Sequence, residues 1–161
     1  MYLLDTNICI FIKNRKPLYV LEKLRSVLEQ TVYLSSITVA ELQFGVYNSQ
    51  NIEKNRISLT EFLAPFEIID FGNTDAEHFG IIRSQLKKEG NLIGPYDMLI
   101  AAQAVARNLI LVTNNTNEFI RIKNLKLEDL ERIESNKACH DWTSRELLPR
   151  PEAGCRRGPH K

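Results

Sequence analysis

The stretch Met1-Tyr2-Leu3-Leu4-Asp5-Thr6-Asn7 decides how the rest of the chain is read. Apolar residues run straight into a carboxylate, a hydroxyl and an amide, and a second apolar run, Ile8 to Ile12, follows. A short apolar run ended by polar residues predicts a buried strand, although periodicity alone also admits a helix segment. In an open α/β sheet, ligands bind in the crevice outside the carboxyl ends of the strands, and Asp5 would stand on that rim. Asp-Thr-Asn is equally good turn chemistry, so the tripeptide gains meaning only from what the remaining chain delivers to the same place.

Outward from this stretch, helical and strand patterns alternate. Ile8 to Lys13 begins a short helix, and Pro17 to Leu28 repeats apolar residues at helical spacing with a proline near its start. Thr31 to Ser35 is β-branched and aromatic, a second strand. Thr38-Val39-Ala40-Glu41 has the pattern of a capping box and opens a helix to about Asn48; Asn51 to Phe62 forms another. Pro65 ends that helix, and Phe66 to Phe71 supplies a third strand. Thr74-Asp75-Ala76-Glu77 is a second capping-box pattern, starting a helix that Gly90 closes. Gly94-Pro95-Tyr96-Asp97 begins an apolar, Ala-rich helix through Ala106, expected to be deeply buried. Leu109 to Val112 is the most hydrophobic strand, leading into a polar loop from Thr113 to Phe119, and Leu125 to Leu127 can add an edge strand. The alternation predicts an α/β fold with a mostly parallel central sheet of four or five strands flanked by helices.

Size and composition set bounds on function. The 161 residues, 43% hydrophobic and 25% charged, fit a soluble globular domain. No apolar run approaches the roughly 20 residues that span a bilayer, and no basic segment precedes the first apolar residues, so the chain is expected in the cytoplasm, away from membranes. The cysteines, Cys9, Cys139 and Cys155, do not form a secreted disulfide framework; Cys9, among isoleucines and a phenylalanine, reads as a small buried apolar residue.

The formal charge of +1 hides an asymmetry. Six basic and three acidic residues lie from Asn136 to Lys161, leaving 15 basic and 17 acidic in the first 135. The main domain is slightly acidic, so nucleic-acid contact would need local basic patches or metal ions. Residues 136–161 have few apolar positions and no period. They read as a non-native or disordered tail, and residues 1–135 as the folded domain. Zinc ligation by Cys139, His140, Cys155 and His160 matches no compact finger spacing.

Four carboxylates stand out, each with an ordinary explanation. Glu41 could cap its helix, Asp97 could complement a helix dipole, Glu118 could start a short helix, and Asp5 could end a strand. Their shared setting argues otherwise. Strand ends and the starts of following helices lie on one rim of a parallel sheet, so all four would converge. Crowded carboxylates raise one another's pKa and call for a cation, and an all-oxygen donor set selects Mg²⁺ or Mn²⁺ over zinc. His78, inside a helix, reads as a surface residue.

LLDTN at the start, TVAEL at 38–42, IGPYDMLIAA at 93–102 and LVTNNTNEF at 111–119 together resemble the PIN-domain nucleases, and most of all the VapC toxins of toxin–antitoxin pairs. LKLEDL, Leu125 to Leu130, is similar to the family's usual end. The resemblance implies a PIN-like fold and a Mg²⁺- or Mn²⁺-dependent endoribonuclease that cuts structured RNA, transfer RNA included. It implies Asp5, Glu41, Asp97 and Glu118 as catalytic, metal-binding acids. Asn115 would be a further metal contact, because Asn114 and Asn115 stand where many relatives carry an Asp. Thr6, Asn7 and Thr113 would support the site. A VapB-like antitoxin would be the partner and would alone contact operator DNA, and the toxin would pair as a homodimer. Phe44, Val46, Tyr47, Ile57 and Phe62 offer a groove for the antitoxin. Arg15, Lys16, Lys87 and Lys88 could steer the RNA backbone. Two rivals remain: a receiver-like Mg²⁺-binding phosphate-signalling domain, and a non-catalytic interaction module. The first needs paired acids after strand one and a lysine after the last long strand, where this chain has Asp5 and Thr113-Asn114-Asn115.

Overall fold

Leu3 and Leu4 point to opposite faces of the sheet, as successive strand residues must, and each anchors its own core. The structure is a computed structural model that describes residues 1–14 and 31–129. Strand β1 (Tyr2–Leu4) pairs parallel with β2 (Val32–Ser35) on one side and with β4 (Ile110–Thr113) on the other, with Leu4 opposite both Leu34 and Val112. Strand β3 (Glu67–Ile69) pairs with β2, and β5 (Lys126–Asp129) with β4, giving five parallel strands in the order β3-β2-β1-β4-β5. The chain leaves β1 toward β2 and later returns to β4 on the other flank. The topological switch point therefore lies between β1 and β4, beyond their carboxyl ends.

Leu3 and Leu111 enter one core with Ile82 and Leu86 of α4 (Asn73–Lys88) and with Met98, Ile100 and three alanines of α5 (Pro95–Ala106). Leu4, Leu34 and Val112 enter the other with Ile8 and Cys9 of α1 (Thr6–Lys13), Leu42 and Val46 of α2 (Ser36–Tyr47) and Leu59 of α3 (Ile52–Leu63). Helices cover both faces, which is why the central strands are apolar throughout. The Ala-rich α5 is buried along most of its length, as its composition predicts. Cys9 is fully buried as a free thiol, and burial pushes its pKa well up, so it serves as an apolar residue.

The helix ends correct two expectations. Thr38 does not cap α2. Ser35, three residues earlier, is the N-cap, its hydroxyl accepting from the Ile37 N–H at 3.0 Å, and Thr38 is fully buried inside the helix. Ser35 wins because β2 ends there in extended backbone, the conformation an N-cap needs. Glu41 consequently sits beyond the first turn and loses its capping role. Thr74 likewise lies inside α4; Gly72 is the N-cap, and its N–H donates to Asp75 Oδ2 at 2.8 Å. Gly90 does close α4, at φ 69°, with its N–H donating to Lys87 O and the Asn91 N–H to Leu86 O. The third strand is shorter than expected, and the loop after β4 contains one helical turn, α6 (Thr116–Phe119), because Phe119 turns inward to full burial.

The helix expected over 17–28 and the tail 136–161 lie outside the described residues, as do Arg15 and Lys16. Among the described residues, no helix is long and apolar enough to cross a membrane.

Candidate active site

Asp5 ends β1 as the N-cap of α1 and is only 2% exposed. Its Oδ1 accepts the Thr6 N–H at 2.7 Å and its Oδ2 accepts the Thr113 hydroxyl at 2.8 Å. Thr113 closes β4, so a single carboxylate is fixed from both strands that flank the switch point. The same threonine oxygen accepts the Asn115 N–H at 3.0 Å, which ties the loop after β4 to this anchor.

Glu41 arrives from α2. Its Oε2 accepts the Thr6 hydroxyl at 2.6 Å, so Thr6 joins the two acids through its backbone and side chain. Asp97 arrives in the first turn of α5, where Pro95 at the helix start omits an N–H that would have no partner. Glu118 arrives from α6 and shares a hydrogen bond with Asp97.

Electrostatics bind these four into one site. Burial first, then the charges of Asp5, Glu118 and Glu41 in that order, and the Glu118 hydrogen bond together push the Asp97 carboxyl up to about 6. Asp5 is also raised, by burial first and by Glu41; the bonds from Thr113 and Thr6 oppose that rise. Asp97 therefore feels the other three acids and Asp5 feels Glu41, as carboxylates do when they surround a space suited to a cation.

The residues fit a hard divalent ion by donor type and by charge. Every side chain on the rim offers oxygen, and one buried amide oxygen in the β4–α6 loop, Asn114 Oδ1, has no hydrogen-bond partner. Among the described residues, no three acidic, histidine or cysteine side chains already form a closed ligand set. An all-oxygen donor set is of the kind that hard ions such as Mg²⁺ and Mn²⁺ take.

The expected site residues fall in three groups. Asp5, Thr6, Glu41, Asp97, Thr113 and Glu118 come together. Asn7 is exposed on α1, and Asn115 acts through its backbone as the N-cap of α6, while the buried amide oxygen belongs to its neighbour Asn114. His78 is half-buried in α4, with its ring nitrogen Nδ1 at 2.9 Å from Thr74 O. Of the expected antitoxin groove, Phe44, Tyr47 and Ile57 are exposed, but Phe62 is half-buried against the core and Val46 belongs to it, because Val46 lies on the Thr38–Leu42 stripe of α2 that faces the sheet. Sequence reasoning missed the ion pair between Arg107 and the buried Asp75, at 3.0 Å, which no local pattern announces across 32 residues.

Known proteins agree with this architecture. The family model for the PIN domain matches residues 2–125. The chain is 43% identical to Ribonuclease VapC2 of Rickettsia felis over 133 residues, covering 82% of this chain and 99% of that protein. It is 40% identical over 128 residues to the tRNA(fMet)-specific endonuclease VapC of Shigella flexneri, covering 80% and 96%. The crystal structure of VapBC2 from Rickettsia felis, bound to a DNA fragment from their promoter, superposes with a TM-score of 0.75 at 43% identity, covering 80% of this chain and 97% of that one. A receiver-like identity is thereby set aside: the chain belongs to the PIN-domain family and is a VapC-like member of it.

Proposed function

We propose that this chain is a cytoplasmic, Mg²⁺- or Mn²⁺-dependent endoribonuclease that hydrolyses phosphodiester bonds in structured RNA, transfer RNA among them. One observation carries the reading: four acids from elements spread over more than a hundred residues meet at the β1/β4 switch point. The name of the Shigella relative, a tRNA(fMet)-specific endonuclease, supports RNA as the substrate class.

Asp5, Glu41, Asp97 and Glu118 would hold the ion. When bound, Mg²⁺ or Mn²⁺ supplies Lewis acidity at a phosphate oxygen and lowers the pKa of water for in-line attack. Thr113 and Thr6 keep the Asp5 carboxylate oriented, and Thr6 also directs Glu41. Asp97, whose carboxyl is raised to about 6 by burial and the neighbouring acids, would hold the ion in its ionised form. Among these groups only oxygen atoms face the phosphate, so a net negative pocket accepts a polyanion only once a cation is present.

We further propose that the chain is the toxin of a pair neutralised by a VapB-like antitoxin, works as a homodimer, and reaches operator DNA only through that partner. The VapBC2 complex on its promoter DNA supports the pairing. Phe44, Tyr47, Ile52 and Ile57 on α2 and α3 are exposed, and large apolar side chains of this kind are what a protein partner covers.

The test is cleavage of purified transfer RNA by the full chain with Mg²⁺, with Mn²⁺ and with EDTA. Cleavage with either ion and none in EDTA is expected. Undiminished cutting in EDTA would remove the metal from the mechanism. A chain that cuts no RNA under any of these conditions would point to the non-catalytic module instead.

A further inference from the structure

The heads of α4 and α5 repeat one local arrangement: a glycine N-cap followed three residues later by an aspartate, Gly72 with Asp75 and Gly94 with Asp97. The two aspartates have opposite fates. Asp75 turns back, accepts the Gly72 N–H at 2.8 Å and pairs with Arg107. Asp97 makes no such capping bond and faces the other acids.

The space beside each glycine differs correspondingly. A Cβ placed on Gly72 would lie 3.9 Å from Asp75 Oδ2, an ordinary contact. On Gly94 it would lie 3.1 Å from Asp97 Oδ2 and 3.6 Å from Asp97 Cγ, tighter than side chains normally tolerate. Backbone conformation does not call for glycine at position 94. Its φ of −54° and ψ of 142° are open to any residue and are the usual choice before a proline. What requires glycine there is the carboxylate of Asp97 itself.

We propose that Gly94 is a positioning residue for the metal-dependent reaction: its missing side chain leaves the volume into which the Asp97 carboxylate settles on the acidic rim. A methyl group at 94 would displace that carboxylate by a few tenths of an ångström, away from the arrangement shared with Asp5, Glu41 and Glu118. The fold would not suffer, since alanine suits this backbone and limits the unfolded chain more than glycine does. The inference rests on the nuclease reading, but it concerns the geometry of a binding site and can be measured without turnover.

The experiment compares full-length Gly94→Ala and Gly72→Ala with the parent chain in three ways: thermal unfolding without metal, Mn²⁺ binding by calorimetry, and RNA cleavage kinetics. Gly94→Ala is expected to melt at or above the parental temperature, bind Mn²⁺ about tenfold more weakly, and lose about tenfold or more in kcat with KM little changed. Gly72→Ala should match the parent in Mn²⁺ affinity and kcat. Parental Mn²⁺ affinity in Gly94→Ala would overturn the proposal, and so would a loss of folding, because the backbone at 94 accommodates alanine. A parent chain that binds no Mn²⁺ and cuts no RNA is a separate result, and it refutes the nuclease reading itself.

Discussion

Thr6 donates its hydroxyl hydrogen to Glu41 Oε2 across 2.6 Å, joining residues 35 apart in the chain. The same residue's N–H holds Asp5, so one threonine at the start of α1 sets the spacing between two acids. Thr6→Val keeps the shape and removes only the hydroxyl. It should cost about 1 kcal/mol of stability and lower kcat by about tenfold, as Glu41 loses its tether. Thermal unfolding beside cleavage kinetics checks this, and parental activity in the valine variant would show that Glu41 needs no such restraint.

Asp97→Asn should remove RNA cleavage while making the metal-free protein more stable at neutral pH. Burial and the neighbouring acids raise the folded-state pKa of Asp97 to about 6, from 3.8. The folded protein thus binds that proton more tightly than the unfolded one, and the stability this confers is complete below the unfolded value. It is lost as pH rises through about 6. With partial solvent exposure allowed for, the effect is on the order of 1 kcal/mol. Metal-free melts between pH 4.5 and 8 should show the parent losing stability across that window and the asparagine variant losing less. Identical pH profiles would contradict the assignment.

Arg107→Ala should destabilise the fold and leave the chemistry intact. The guanidinium donates to both oxygens of the buried Asp75, at 3.3 and 3.0 Å, and to Asp70 O at 2.7 Å. Burial alone would raise the Asp75 pKa; the bonds from Arg107 and Gly72 outweigh it and hold the carboxyl below its ordinary value. Such a group stabilises the protein above its unfolded pKa, and that stability is lost as pH falls through the folded one. Removal of Arg107 should cost about 2 kcal/mol at pH 7 and less in acid, with cleavage per folded molecule unchanged. Denaturant titrations at pH 7 and pH 3.5 give the comparison. An equal loss at both would mean that packing, not charge, explains the residue.

Truncation after Ser135 should leave both folding and RNA cleavage as they are, because the apolar pattern and the family motifs all precede it. Circular dichroism and a cleavage assay on the shortened chain suffice, and loss of either would return residues 136–161 to the domain.

What the sequence made legible follows from what a parallel sheet exposes in its pattern. Tyr2–Leu4, Val32–Ser35 and Ile110–Thr113 are apolar because both faces are covered, so their runs stand out, and the acids at their ends follow from the carboxyl-end rule. Helix caps were harder. Thr38 and Thr74 each sit three residues before a glutamate, yet Ser35 caps one helix because β2 ends there in extended backbone, and Gly72 caps the other with its N–H held by Asp75. The choice between Asn114 and Asn115 depends on the short helix after β4, which one inward-turning side chain, Phe119, creates. The Arg107–Asp75 pair depends on how α4 and α5 pack, which no local window contains.

Strand β1 carries a further consequence, one of timing. It lies in the middle of the sheet but is made before the other four strands, and its second neighbour, β4, comes more than a hundred residues later. Asp5 receives the Thr113 hydroxyl only after nearly the whole domain has been translated, and Glu118 follows later still. For a protein proposed to cut RNA, the order of synthesis means that the acidic rim stays incomplete until residues beyond Glu118 have been made.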